Sequence, residues 1–247
     1  MKPAAGPLLS LSLGLSLAAC SGLREPAPLS RARMDSGPSA LSDVGRLELG
    51  GVDRCGATLF TPSAAVTAAH CLVPGMTEVT PRDAVLAIGG GVELQRFPVD
   101  RAWAFGSHRR EGDAAFNGDV AVLHLATPVP ARVATPRPLA ASGVRPGEEV
   151  TLASLDESRS GGTRRLRSWR FRPASTDRVL SPGDSGSPLL LGGTNELGPV
   201  VAVASGYATT PCASSVPDRA LFGDVARVRG AIETTLAQWE GDPSRPR

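Results

Sequence analysis

A histidine stands in Thr67-Ala68-Ala69-His70-Cys71, an aspartate in Gly118-Asp119-Val120-Ala121-Val122-Leu123, and a serine in Gly183-Asp184-Ser185-Gly186-Ser187-Pro188. A serine hydroxyl is a poor nucleophile until a neighbouring imidazole takes its proton. The imidazole does this work when a carboxylate fixes its tautomer and stabilises the cation that develops. The three residue types therefore point to nucleophilic acyl transfer through a covalent acyl-enzyme. Taken singly, a histidine before a cysteine reads as structural and an aspartate at a strand start reads as a cap. His108 and His124 lack any such setting and read as surface or core residues, and nearby Asp113 lacks the Asp-Val-Ala-Val-Leu pattern that selects Asp119.

Short strands must carry these groups. The chain has 247 residues, 41% hydrophobic, with 28 glycines and 22 prolines, which suits many strands joined by turns rather than helices. Alternation and apolar runs predict strands over residues 44–49, 55–60, 64–69, 84–88, 92–97 and 120–125. A connection with four prolines follows at residues 127–138. Further strands are predicted over 149–155, 166–171, 188–191 and 200–205. Only residues 225–239 show helical spacing, with Val225, Val228, Ile232, Leu236 and Trp239 on one stripe. A net charge of +2 is too close to neutral to imply a nucleic-acid partner. The run Arg164-Arg165-Leu166-Arg167-Ser168-Trp169-Arg170-Phe171-Arg172 interleaves arginines with aromatics as an acidic-ligand surface does. The plainer reading is a strand with Leu166, Trp169 and Phe171 inward and a solvated arginine face outward. That face could steer acidic substrates or meet anionic headgroups.

The order His, Asp, Ser and the three local motifs resemble the chymotrypsin/trypsin-like serine protease family. The resemblance covers about residues 42–239. It implies an all-β fold of two six-stranded antiparallel β-barrels and a C-terminal α-helix, with the active site between the barrels. Barrel one is expected over about 43–130, barrel two over about 138–222 and the closing helix over about 225–239, with a tail at 240–247. It also implies a serine endopeptidase acting on protein or peptide substrates, without metal or organic cofactor, and a monomer. His70 is the implied general base, Asp119 its orienting carboxylate and Ser185 the nucleophile, with the backbone N–H groups of Gly183 and Ser185 as oxyanion hole. The rivals are a catalytically silent binding protein on the same fold and an esterase-like serine hydrolase.

Several positions depart from the family pattern. Ser187 replaces a more usual glycine. Val179 falls at the base of the specificity pocket, with Ala204, Ser205 and Gly206 as its wall, so cleavage after apolar or small residues is expected. Ser181 replaces a cysteine, so the family's disulfide to the region of Cys212 cannot form. In the family a freed N-terminal Ile or Val pairs with the aspartate before the nucleophile, here Asp184. No basic-Ile/Val-Val-Gly-Gly segment lies between Cys20 and Cys55, and Leu49-Gly50-Gly51 is too close to Cys55 to serve. A buried unpaired carboxylate costs several kcal/mol. Asp184 must therefore find another partner or wait exposed for an ordering event, and no zymogen cut of the family's usual kind is expected.

The N-terminal residues 1–19 read as a targeting segment, with Lys2 before an apolar stretch at 8–17 that is too short to span a membrane. Leu17-Ala18-Ala19-Cys20 resembles the lipobox of bacterial lipoproteins, which implies lipid on Cys20 and a bacterial envelope location, the outer membrane favoured by Ser21. An ordinary secretory signal is the alternative. Residues 20–42 read as a flexible tether. Of the remaining cysteines, Cys55 and Cys71 are expected to form a disulfide in an oxidising compartment, and Cys212 to stay single.

Overall fold

The computed structural model describes residues 33–35, 41–72, 78–79, 83–89, 94–106, 116–155, 164–171, 180–181, 183–208 and 219–242. Its strands are β1 (Arg33–Asp35), β2 (Val44–Leu49), β3 (Val52–Thr61), β4 (Ala64–Thr67), β5 (Glu78–Val79), β6 (Ala84–Ile88) and β7 (Gln95–Ala104). They continue with β8 (Phe116–Asn117), β9 (Ala121–Leu125), β10 (Glu149–Leu155), β11 (Arg164–Arg170), β12 (Pro188–Leu191), β13 (Val200–Ala208) and β14 (Arg219–Asp224). One helix, α1 (Val225–Glu240), follows.

In the first lobe the strands run β7-β6-β2-β3-β4-β9, and β9 pairs back onto β7, so six strands close into a barrel with β5 beside β7. Closure removes the unpaired edges that an open sheet of short strands would expose. Leu47, Leu59, Leu86, Ile88, Leu123 and Leu125 fill it without exposure. Every residue of β9 is buried, as expected for a strand covered on both faces.

The second lobe is a seven-stranded sheet in the order β1-β11-β10-β12-β13-β14-β8, antiparallel except for β14 with β8. Where sequence led us to expect a second closed barrel, no closing pair occurs among the described residues. Residues 33–35 and 41–42, assigned to the tether, belong to the fold instead. β1 lies along β11 with Arg33 opposite Leu166, Leu41 is fully buried, and the Ser42 hydroxyl accepts from Thr135 N at 3.2 Å.

The proline-rich connection is pinned at both ends. Val129 N donates to Pro62 O at 2.8 Å and Arg137 N to Leu59 O at 2.9 Å. The Arg137 guanidinium grips buried Asp43 with Nε at 2.7 Å and Nη2 at 3.0 Å, while Nη1 reaches Leu197 O and Gly198 O at 2.9 and 3.2 Å. One side chain thus ties the first lobe's entry to a loop of the second. Helix α1 begins where Asp224 accepts from Arg227 N at 3.0 Å. It buries Val225, Ile232 and Trp239 in the larger core, with Val228 and Leu236 half-buried. Among the described residues, no helix is long and apolar enough to cross a membrane.

Candidate active site

His70 sits on a 3-10 turn, Ala69–Cys71, directly after β4. Cys71 N and Leu72 N close that turn onto Ala68 O and Ala69 O, each at 3.1 Å. A Cys55–Cys71 disulfide ties it to β3, and Thr67 Oγ1 donates to Gly56 O at 2.8 Å. The imidazole side chain is 31% exposed, so one edge faces solvent while the other meets a carboxylate that is fully buried.

That carboxylate is Asp119, just before β9. Its Oδ1 accepts from His70 N at 2.9 Å and its Oδ2 lies 2.6 Å from His70 Nδ1. An ionised carboxylate can only accept, so Nδ1 donates and Nε2 is left as the basic nitrogen. Ser205 Oγ donates to the same Oδ2 at 2.6 Å. Burial by itself pushes the Asp119 carboxyl up. Hydrogen bonds from the His70 ring and Ser205, the charge of His70 and the His70 amide together outweigh burial, and the net shift is downward from 3.8.

Ser185 lies in the loop before β12. Gly183 and Gly186 adopt φ of 87° and 76°, a backbone region that side chains with a Cβ rarely enter. A Cβ at Gly186 would also overlap the Gly56 carbonyl and the Thr67 hydroxyl. The loop therefore lies directly on the Gly56 backbone of β3 and the Thr67 side chain that ends β4. Gly56 N donates to Ser185 O at 2.7 Å, Gly186 N to Ala204 O at 2.8 Å and Ser187 N to Asp184 O at 2.9 Å. Among the described residues, no hydrogen bond occupies the N–H of Gly183 or of Ser185. These are the two amides that the family resemblance assigns to a developing oxyanion.

Asp184 is 3% exposed. Arg167 Nη2 of β11 donates to Asp184 Oδ2, as does Ser181 N at 2.5 Å, and Arg167 Nη1 donates to Ser181 Oγ at 3.0 Å. Arg167 thus departs from the solvated arginine face expected for this strand: it is 6% exposed, whereas Arg170 is exposed. The reason is that the face opposite Leu166 looks onto the buried Asp184 carboxylate, which needs a cation, instead of onto water. Leu166 and Phe171 are buried as expected and Trp169 is partly buried, stacked on Phe222 at 6.3 Å.

Of the expected pocket residues, Ala204, Ser205 and Gly206 lie on β13. The Ala204 side chain lies in the second lobe's core, the Ser205 hydroxyl is turned to Asp119, and Gly206 is half-buried. Val179, Cys20, Cys212, His108 and Asp113 lie outside the described residues. Buried His124 pairs with Asp100 at 2.6 Å and meets the edge of Trp239, far in role from the His70 cluster. Cys55, Cys71 and His70 offer donor atoms within 4.8 Å of one another, but the joined sulfurs have no thiolate to give a metal. Sequence reading missed Ser205 as the second donor to Asp119. Its signal was available: a serine ending the buried run Val200-Val201-Ala202-Val203-Ala204 must find a partner.

Comparison with known proteins agrees with this fold. The trypsin family model matches residues 41–179, which include His70 and Asp119 and stop short of Ser185. Human serine protease 56 is 30% identical over 164 residues, 63% of this chain. The chain spans 27% of that relative's length. Among solved structures, human heparin binding protein superposes with a TM-score of 0.62 at 18% identity, covering 87% of this chain and 99% of that one. Mouse neuropsin, a serine protease, gives 0.59 at 15% identity over 83% and 99%. At such identities these structures speak for the fold alone.

Proposed function

The chain belongs to the trypsin family, and from that premise we propose that it is a serine endopeptidase working through Ser185, His70 and Asp119. The observation that carries this reading is the doubly bonded His70–Asp119 pair, Nδ1 to Oδ2 at 2.6 Å and N to Oδ1 at 2.9 Å, which leaves Nε2 basic. Ser185 Oγ attacks the substrate carbonyl carbon as its proton passes to His70 Nε2. The negative charge gathers on the carbonyl oxygen, against the N–H groups of Gly183 and Ser185, each such donor worth about 2.7–4 kcal/mol. The C–N bond then breaks, and His70 returns its proton to the leaving amine. Water, deprotonated by His70, releases the acyl group and restores Ser185. Asp119 stays ionised throughout and balances the imidazolium.

The substrates are proteins or peptides, cleaved after apolar or small residues because Val179 supplies no counter-charge. We place the enzyme at a bacterial envelope, anchored by lipid on Cys20. Support for this is confined to the lipobox-like Leu17-Ala18-Ala19-Cys20. A fluorophosphonate probe tests the chemistry: it should label Ser185 in the folded chain and leave Ser185→Ala unlabelled. A well-folded chain that takes no label, whether cut or uncut, is a binding protein on this fold. Ester hydrolysis without cleavage anywhere in a peptide library makes it an esterase-like hydrolase.

A further inference from the structure

The proposed reaction does not use the Arg167–Asp184 pair, yet the pair lies beneath the loop that performs it. Asp184 separates the two oxyanion amides, so wherever its side chain goes the backbone of Gly183 and Ser185 follows. The Arg167 guanidinium meets both ends of this turn, donating to Asp184 Oδ2 and to Ser181 Oγ, while Ser181 N and O bond to the Asp184 carboxylate and amide at 2.5 and 3.1 Å. Arg167 is itself braced within the sheet. It faces Leu152 of β10, and the preceding residue, Leu166, faces Arg33 of β1. The chain's earliest described segment therefore runs along β11, and the carboxylate's partners among the described residues are Arg167 and Ser181.

We propose that Arg167 is a positioning residue, an internal cation that keeps the Ser185 loop in working shape without any cut of the chain. Two departures seen in the sequence meet at this side chain. The missing freed-N-terminus segment removes the usual cation, and Ser181 in place of a cysteine supplies a hydroxyl that Arg167 uses. The two kinds of cation also differ in pH behaviour. A freed α-amino group loses its charge near about 7.7–8.0, whereas a guanidinium stays charged beyond about 12. Without the cation, the buried carboxylate gains by turning to water and takes the oxyanion amides with it.

This inference rests on the serine-protease reading, and the experiment separates the two. Full chain, shown by intact mass to be uncut beyond residue 33, is assayed with the fluorophosphonate probe beside Ser185→Ala, Arg167→Met and Arg167→Lys, with folding followed by circular dichroism. Uncut wild type should label without added protease. Arg167→Met should label about 100-fold more slowly, the loss typical of a misplaced oxyanion donor. Arg167→Lys should recover part of the rate and gain an alkaline fall absent from wild type, because an ammonium deprotonates where a guanidinium does not. Labelling only after a cut that creates a new N-terminus overturns the inference, as does a wild-type rate in Arg167→Met. Should Arg167→Met fail to fold, the uncut-chain assay and the pH profile of Arg167→Lys decide, and a lysine variant with the wild-type profile counts against it. Silence of wild type, cut or uncut, defeats the protease reading itself.

Discussion

His70 is carried by a closed barrel and fixed through a disulfide, whereas Ser185 is carried by a sheet and fixed through a buried ion pair. The first arrangement sets geometry by covalent closure and backbone ladders, which neither salt nor pH alters below the point of unfolding. The second places a charge under the reacting loop, so its geometry lasts as long as the carboxylate keeps a cation. Asp119 joins the two. It belongs to the first lobe by sequence, yet one of its oxygens accepts from Ser205 of β13 in the second. The lesson is that the site is assembled through one carboxylate, and damage can be assigned to a lobe by which property fails first.

The largest effect should come from the joint. Asp119→Asn keeps the shape of the side chain but presents an amide where a carboxylate fixed the imidazole. The tautomer inverts, Nε2 loses its basicity, and kcat should fall about 10⁴-fold with little loss of stability. Steady-state kinetics beside a thermal melt check this. A loss of kcat below about tenfold would mean that the His70–Asp119 pair serves packing instead.

Breaking the first lobe's tie should be milder. Replacing Cys55 and Cys71 together by serine opens a loop with a sequence separation of 16. In the chain-entropy account this costs about 3 kcal/mol. The melting temperature should drop, and labelling of Ser185 should slow as the His70 turn loosens. The Arg167–Asp184 pair lies in the other lobe, so the alkaline profile should keep its form. A changed profile would show that the lobes are coupled more closely than their separate fastenings imply.

The elements that sequence revealed are those whose burial follows a period. β2, β6, β10 and β12 have the bounds expected of them, and α1 runs one residue beyond its expected end, because each buries one face or both along its whole length. β7 begins later than expected, at Gln95, and continues to Ala104. β1 is three residues long and is held by β11, so no local pattern announces it. The His70–Asp119 pairing was legible because each residue sits in a characteristic run. Arg167 was not, because alternation names the two faces of a strand without saying that one of them looks onto a carboxylate instead of water. The puzzle of Asp184 was legible, and its answer needed three dimensions.

The smallest expected effect tests the bond between the lobes most finely. Ser205→Ala removes one donor from Asp119 Oδ2 and leaves both bonds to His70 in place. A hydrogen bond to a charged group is worth about 1.5–3 kcal/mol, so near neutral pH the variant should melt below wild type by that margin or less. The folded Asp119 carboxyl lies below 3.8. A depressed carboxyl stabilises the fold above its unfolded value, and that contribution is lost as pH falls through the folded one. Ser205 is among the groups that lower it, so removing the hydroxyl raises the folded value, and the acid loss becomes smaller and is complete at a higher pH. The gap between wild type and variant should therefore be widest above about pH 4 and close as Asp119 takes up its proton. Melts from pH 2 to 7 read this directly. A gap that stayed constant across that range would mean that the hydroxyl supports packing and does not act on the charge.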